Sequence, residues 1–282
     1  MLSADQICRY QELGYVLLPR FKSPAELAGV RERAWEIARS PQATEGASLF
    51  TTRREGPHVD RWFLDSAHAV RCFFEQEAFS PDGRLKQALE LSINKIGHAL
   101  HDLDPTFDAF SHGPELAAVA HDLGLVEPQI RQSMVIFKPP GIGGEVGWHQ
   151  DASFFVTDPV SVTTFWFALE DATLANGCLW VEPGGHAGAR GVLRERFERE
   201  GDVVRMQRLS DLGWPDQSMA VPIEVSAGDL LCFHGLLPHY SAPNRSARSR
   251  LAYTLHVTDG RTAYAPTNWI QAPAARTVRG FT

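Results

Sequence analysis

Cysteine is scarce in this chain: there are four in 282 residues, and no two form a Cys-x-x-Cys pair. That excludes a zinc ribbon and a dithiol redox motif, and leaves Cys8, Cys72, Cys178 and Cys232 as expected reduced thiols of the core. Long apolar runs are missing too; no stretch reaches the roughly 18 apolar residues that a membrane-spanning helix needs. The opening Met1-Leu2-Ser3-Ala4-Asp5-Gln6 lacks the basic-then-apolar order of a secretory leader. The closing Arg279-Gly280-Phe281-Thr282 is not a peroxisomal tripeptide, so a cytoplasmic location is expected. Positive charge is not in excess: 27 Lys and Arg face 34 Asp and Glu, a net charge of −7. No basic field is offered to nucleic acid or anionic lipid. The segment Gly141 to Gly147 misses the dinucleotide-binding spacing, and no Gly-x-Ser-x-Gly elbow occurs. No internal repeat, low-complexity tract or Pro- or Ser-rich linker divides the chain.

What the chain does have is apolar content, 44% of its residues, enough for a sizeable core. Its first part reads as helical. Ser3 and Gln6 form a capping box for a helix running to Leu13, and Tyr15 to Leu18 is a short strand ended by Pro19. Ser23-Pro24-Ala25-Glu26 opens a helix reaching about Arg39. Ala43 to Asp60 reads as loop, Leu85 to Leu103 as a long helix and Pro114 to Leu123 as a shorter one. From about Gln129 short apolar or alternating runs take over. Strands are expected at Ser133–Phe137, Trp148–Val156, Val162–Leu169, Cys178–Glu182, Val221–Val225, Leu230–His234 and Leu251–Val257, with a tight turn at Asn176-Gly177. Arg194, Arg196 and Arg199, interleaved with Glu195, Glu198 and Glu200, read as a solvated face. Helices early and strands late indicate an α+β chain, mainly helical over 1–127 and a sandwich or jelly roll over 128–282.

One short motif stands out: His149-Gln150-Asp151, with His239 far downstream. Two imidazoles and one carboxylate are the ligand set of a non-haem Fe(II) site with open coordination positions. In a strand, residues i and i+2 share a face, so His149 and Asp151 can reach one metal while Gln150 points away. A His-x-Asp pair also arises by chance on protein surfaces. The pattern gains weight from Arg250, eleven residues after His239 (250 − 239), at the head of the apolar run Leu251–Leu255. An arginine there can hold a carboxylate bidentately across the site.

Further segments carry a resemblance. Gly14-Tyr15-Val16-Leu17 is short. Ser92-Ile93-Asn94-Lys95-Ile96-Gly97-His98-Ala99-Leu100-His101 is more specific, as are Gly143-Gly144-Glu145-Val146 with the His149 run, Glu170-Asp171-Ala172-Thr173 through Asn176-Gly177-Cys178-Leu179-Trp180, and Asn268-Trp269-Ile270-Gln271. In these the chain resembles the phytanoyl-CoA dioxygenase family of Fe(II)/2-oxoglutarate oxygenases, above all its phytanoyl-CoA dioxygenase domain-containing subgroup. It departs from them between about Ala189 and Val221 and in the loop before Trp62. The resemblance implies one oxygenase domain over 1–282, a double-stranded β-helix (jelly roll, cupin-like) wrapped by N-terminal helices. It implies Fe(II) held by His149, Asp151 and His239, 2-oxoglutarate as co-substrate with O2, and ascorbate as a stimulant. Position by position, Lys95, Met134, Gln150, Trp166, Ser241 and Arg250 fall at co-substrate positions. The implied reaction converts 2-oxoglutarate to succinate and CO2 while hydroxylating a small organic substrate. Related halogenases lack a carboxylate where Asp151 stands, which favours hydroxylation.

Plainer readings stand beside these. Lys95 also reads, less favoured, as a solvated helix lysine, and Met134 and Trp166 as core. His98 and His101, three apart on the expected long helix, read as structural. His186 reads as a turn residue, His256 as a strand residue with an ordinary hydrogen bond, and Arg248 as the alternative anchor to Arg250. Two other functions use the same ligands: a non-catalytic sensor of metal or 2-oxoglutarate, and a zinc hydrolase that would not need Arg250.

Overall fold

The computed structural model describes residues 1–46, 48–49, 61–272 and 277–282; most of the loop expected over Ala43–Asp60 lies outside them. Helix α1 (Ala4–Leu13) starts at the Ser3/Gln6 capping box, and α2 (Pro24–Arg39) at the equivalent box of Ser23 and Glu26 with Pro24 in its first turn. Between them β1 (Tyr15–Leu18) leaves the helical layer. The next strands are β2 (Val70–Phe74), β3 (Ile93–His98) and β4 (Pro128–Lys138). After these come β5 (Val146–His149), β6 (Thr157–Asp158), β7 (Thr163–Ala168), β8 (Leu179–Val181), β9 (Glu195–Glu200) and β10 (Val203–Arg208). The last are β11 (Val221–Ile223), β12 (Leu230–His234), β13 (His239–Ser241), β14 (Arg250–Asp259) and β15 (Ala263–Tyr264).

Two sheets face each other. The larger has the order β1-β12-β7-β14-β4-β3-β2 and the smaller β11-β8-β13-β5, with β9–β10 and β6–β15 as separate pairs. All named pairings are antiparallel. This is the expected jelly-roll arrangement. Alternation divides the large sheet. Val135, Phe137, Phe165, Phe167, Leu251, Tyr253 and Leu255 pack outward against Leu27, Val30, Ala34, Phe107 and Phe110 of the helical layer. Trp166, Ala168, Leu231, Phe233 and Ala252 pack inward against Leu179 and Val181 of the small sheet. Burial on both faces explains why every residue of β14 is buried. No helix among the described residues is long and apolar enough to cross a membrane.

Four expectations are corrected. The long helix over Leu85–Leu103 is instead a 3-10 turn at Leu89–Ser92, strand β3 and a short helix at Leu100–Leu103. Its apolar positions fit a helical period, but β2 and β4 supply hydrogen-bonding partners on both sides of Ile93–His98, and tertiary pairing overrides local pattern. The division at residue 127 does not divide the large sheet, because β1, β2 and β3 belong to it. The charged run at 194–200 is no simple solvated face: it holds β9, which pairs with β10, and buries Phe197 beside Phe63, Phe155 and Trp269. Cys8 is exposed, whereas Cys72, Cys178 and Cys232 are buried and free.

Candidate metal centre

His149 is the last residue of β5 and pairs directly with His239, the first of β13. Their rings stand 4.0 Å apart between centroids. The strand expected to run through Asp151 stops short, since Asp151 opens a 3-10 turn (Asp151–Ser153). The alternation argument survives because Gln150 is still extended (φ −124°, ψ 133°). Asp151 therefore turns to the same side as His149. Asp151 Oδ1 lies 3.7 Å from His149 Nε2 and 3.6 Å from His239 Nε2. One ligand atom from each of the three residues lies within 4.8 Å of the others.

The backbone sets the chemistry of both imidazoles. His149 Nδ1 lies 2.9 Å from Gly147 O, and His239 Nδ1 lies 3.0 Å from Leu237 O. A carbonyl can only accept, so each Nδ1 carries a proton, and Nε2 is the nitrogen each ring turns to the Asp151 side. Burial, helped by His239, pushes His149 down to about 4, so it is neutral near pH 7. Burial opposes charge on Asp151 as well, but His239, His256 and His149 hold its carboxyl well below the usual carboxylate range. Two imidazole nitrogens and one carboxylate oxygen converging in this way suit a divalent transition metal.

Strand register lays out the rest of the cavity in rows. Nearest the three ligands, Thr164, His256 and Gln132 are cross-strand neighbours; the next row is Trp166, Thr254, Met134 and Gly97. Ala168, Ala252, Ile136 and Lys95 follow, and Arg250 with Lys138 closes the far end. Trp166, Met134, Lys95 and Arg250 thus share the inward face of one sheet. Lys95 is a buried strand residue rather than a helix lysine, with Nζ 5.6 Å and 5.7 Å from the Phe63 and Phe73 ring centroids. Arg250 is 1% exposed and leans back along the cavity, its guanidinium carbon 5.6 Å from the Trp166 ring. Its Nη2 lies 3.4 Å from Ser241 Oγ, while Nε and Nη1 have no hydrogen-bond partner among the described residues. Burial pushes Arg250 down to about 10, which leaves it cationic at neutral pH. A buried cation with two free donors fits a carboxylate.

Gln150 differs from expectation. Its Nε2 donates to Val192 O and Leu236 O, and its Oε1 accepts from Arg194 N. The side chain anchors the loop before β9 and has no amide atom left for a ligand. Arg248 is exposed and paired with Asp171, so it is the poorer anchor. His98 and His101 bond through Nδ1 to Ser66 and Ser133 and stay outside the cluster. Three residues at the site carry no motif: Thr164, His256 and Lys138. Thr164 Oγ1 donates to Asp151 Oδ2, and His256 Nε2 lies 3.4 Å from the same oxygen. Lys138 Nζ donates to the carbonyls of Gly144, Ala242 and Ser241, tying β4 to the end of β13 beside Arg250. Period-two spacing from Trp166 and Arg250 was the available signal for Thr164, His256 and their inward direction.

The sequence profile of the phytanoyl-CoA dioxygenase (PhyH) family matches residues 10–252, a span that holds His149, Asp151, His239 and Arg250. The chain belongs to the phytanoyl-CoA dioxygenase family. It is 43% identical over 271 residues to a phytanoyl-CoA dioxygenase of Arabidopsis thaliana, covering 96% of this chain and 94% of that one. It is 41% identical over 278 residues to phytanoyl-CoA dioxygenase domain-containing protein 1 of Bos taurus, covering 96% and 95%. Among solved structures, the non-heme alpha ketoglutarate dependent carbocyclase SnoK from nogalamycin biosynthesis shares the fold, with TM-score 0.65, 22% identity, and 94% and 87% of the two chains covered. EctD from S. alaskensis with 2-oxoglutarate and 5-hydroxyectoine does so too, with TM-score 0.61, 21% identity, and 92% and 76% covered.

Proposed function

We propose that this member of the phytanoyl-CoA dioxygenase family is an Fe(II)- and 2-oxoglutarate-dependent hydroxylase. It would convert 2-oxoglutarate to succinate and CO2 while hydroxylating a small organic substrate. The observation that carries this reading is the pairing of two groups in one cavity: the His149–Asp151–His239 cluster, and the buried Arg250 cation with two free donors. A zinc hydrolase would need the first and has no use for the second. The structure of EctD with 2-oxoglutarate and 5-hydroxyectoine supports the same assignment.

His149, Asp151 and His239 would hold the iron, which with 2-oxoglutarate and O2 supplies the oxidation itself. Asp151 would occupy one ligand position as a carboxylate, which favours hydroxylation over halide transfer. Arg250 would take the distal carboxylate of 2-oxoglutarate on its guanidinium, which has Nε and Nη1 unpaired among the described residues, with Ser241 Oγ beside Nη2. Met134 and Trp166 would form the apolar walls of that subsite. Lys95, pointing inward from β3, would offer a positive charge to the co-substrate or to a substrate anion. The cluster of Phe63, Phe73, Phe155, Phe197 and Trp269 packs around the ligand turn and keeps water from that side of the cavity.

The test is succinate release from 2-oxoglutarate with Fe(II), ascorbate and O2, screened across small organic substrates. Substrate-stimulated succinate in the wild type, abolished in Asp151→Ala, is the expected result. Absence of succinate above the metal-free control across the panel would overturn the enzymatic reading and leave a binding protein.

A further inference from the structure

We infer that His256 and Thr164 act together as positioning residues that clamp the second oxygen of Asp151 and so orient the first towards the metal; this rests on the reading of His149, Asp151 and His239 as metal ligands. Asp151 presents Oδ1 to both histidine ligands, while Oδ2 turns away from them. Two side chains from the inner face of the large sheet meet Oδ2 there. Thr164 Oγ1 donates to it, and His256 Nε2 lies 3.4 Å from it. Thr164 and His256 are direct cross-strand partners on β7 and β14, so one register places both donors.

His256 has little other reason to be where it is. It is 4% exposed, and its Nδ1 has no hydrogen-bond partner among the described residues. A buried imidazole with one unmatched nitrogen is unfavourable unless its other nitrogen makes a good contact. Here that contact is a ligand carboxylate, which can only accept, so Nε2 carries the proton. The ring is held flat against Phe155, with centroids 4.9 Å apart and planes 20° apart. Phe155 follows the ligand turn in sequence. The clamp therefore links three pieces: the turn that carries Asp151, the strand that carries Thr164, and the strand whose far end carries Arg250.

Carboxylate ligands without outer partners rotate or chelate through both oxygens, and loss of such partners typically weakens metal binding by about 10- to 100-fold. With Thr164 and His256 at Oδ2, Oδ1 is the oxygen that Asp151 would offer a metal.

The experiment is anaerobic titration of the full chain with Co(II), followed by its visible absorption and by calorimetry. The variants are Thr164→Val, His256→Phe, His256→Gln and Asp151→Ala, each checked for fold by circular dichroism. We expect Thr164→Val and His256→Phe to bind Co(II) about 10-fold or more weakly with an altered visible spectrum. His256→Gln, whose amide nitrogen reaches the place of Nε2, should recover much of the affinity. Wild-type affinity and spectrum in both Thr164→Val and His256→Phe would overturn the clamp. If His256→Phe does not fold, Thr164→Val and His256→Gln decide it, since loss in the first with retention in the second is the expected pair. Failure of the wild type to bind, or unchanged binding in Asp151→Ala, would instead overturn the underlying metal assignment.

Discussion

Arg250 is the residue on which the 2-oxoglutarate assignment turns, because its planar guanidinium is buried, cationic and only partly satisfied. Replacing it with alanine should raise the 2-oxoglutarate concentration needed for half-maximal succinate release by about 10- to 100-fold, the equivalent of one lost charge-assisted pair. Arg250→Lys should recover only part of this, since an ammonium supplies charge without the fork. An unchanged requirement in both variants would remove Arg250 from the site. His149, Asp151 and His239 were legible in the sequence only together with Arg250 and the family-like segments around them, since a His-x-Asp pair alone is common. Thr164 and His256 were not. Threonine and histidine are ordinary strand residues, and only the register between β7 and β14 reveals that both point at one oxygen. Gln150 misled in the other direction, since its place between two ligands says nothing of its three bonds to the neighbouring loop.

Among the elements, the strands bounded by glycine, proline or asparagine were the readable ones. Leu230–His234 has its expected bounds, and Asn176-Gly177 is a turn for a clear reason: Gly177 has φ +88°, and a Cβ there would lie 2.7 Å from Ala242 O. Strand β3 was hidden because Leu85, Leu89, Ile93, Ile96, Leu100 and Leu103 also satisfy a helical period. Its true partners are distant in sequence. Strand β4 shows what this pairing supports. Its last residue, Lys138, is buried, and burial, together with nearby Arg250, pushes its ammonium well below the ordinary lysine value. It still donates to three carbonyls of the loops around the site. Lys138→Met should leave those carbonyls unsatisfied and destabilise the fold by about 2–4 kcal/mol, read as a lower urea midpoint at unchanged m. It should also raise the 2-oxoglutarate requirement, because the end of β13 would lose its tie to the Arg250 end of the cavity. A variant as stable as wild type would show that the three contacts contribute nothing net.

For the whole molecule, the buried histidines set the response to acid. Burial pushes His101, His149 and His234 each down to about 4. In the unfolded chain a histidine titrates near 6.5. Below that value the unfolded state takes up protons that the folded state refuses, so stability is full above about pH 6.5 and falls as pH drops towards 4. For the metal-free protein the melting temperature should decrease by roughly 10 °C between pH 7 and pH 4.5, measured by calorimetry. A flat profile would mean that these imidazoles protonate in place. The overall architecture, a jelly roll beneath a helical layer, was legible from the change of pattern near Gln129. What composition could not show is that β1, β2 and β3 cross back from the helical part into the large sheet.

Strand β5 lies at the margin of the small sheet, is four residues long, and leans on β13 alone. Its last side chain faces an imidazole 90 positions further along the chain (239 − 149). An ion gripped by both would tether a ribbon end that few backbone bonds secure. Capture of the metal and completion of the barrel's rim would then be a single event, and stripping the ion would let that corner fray first.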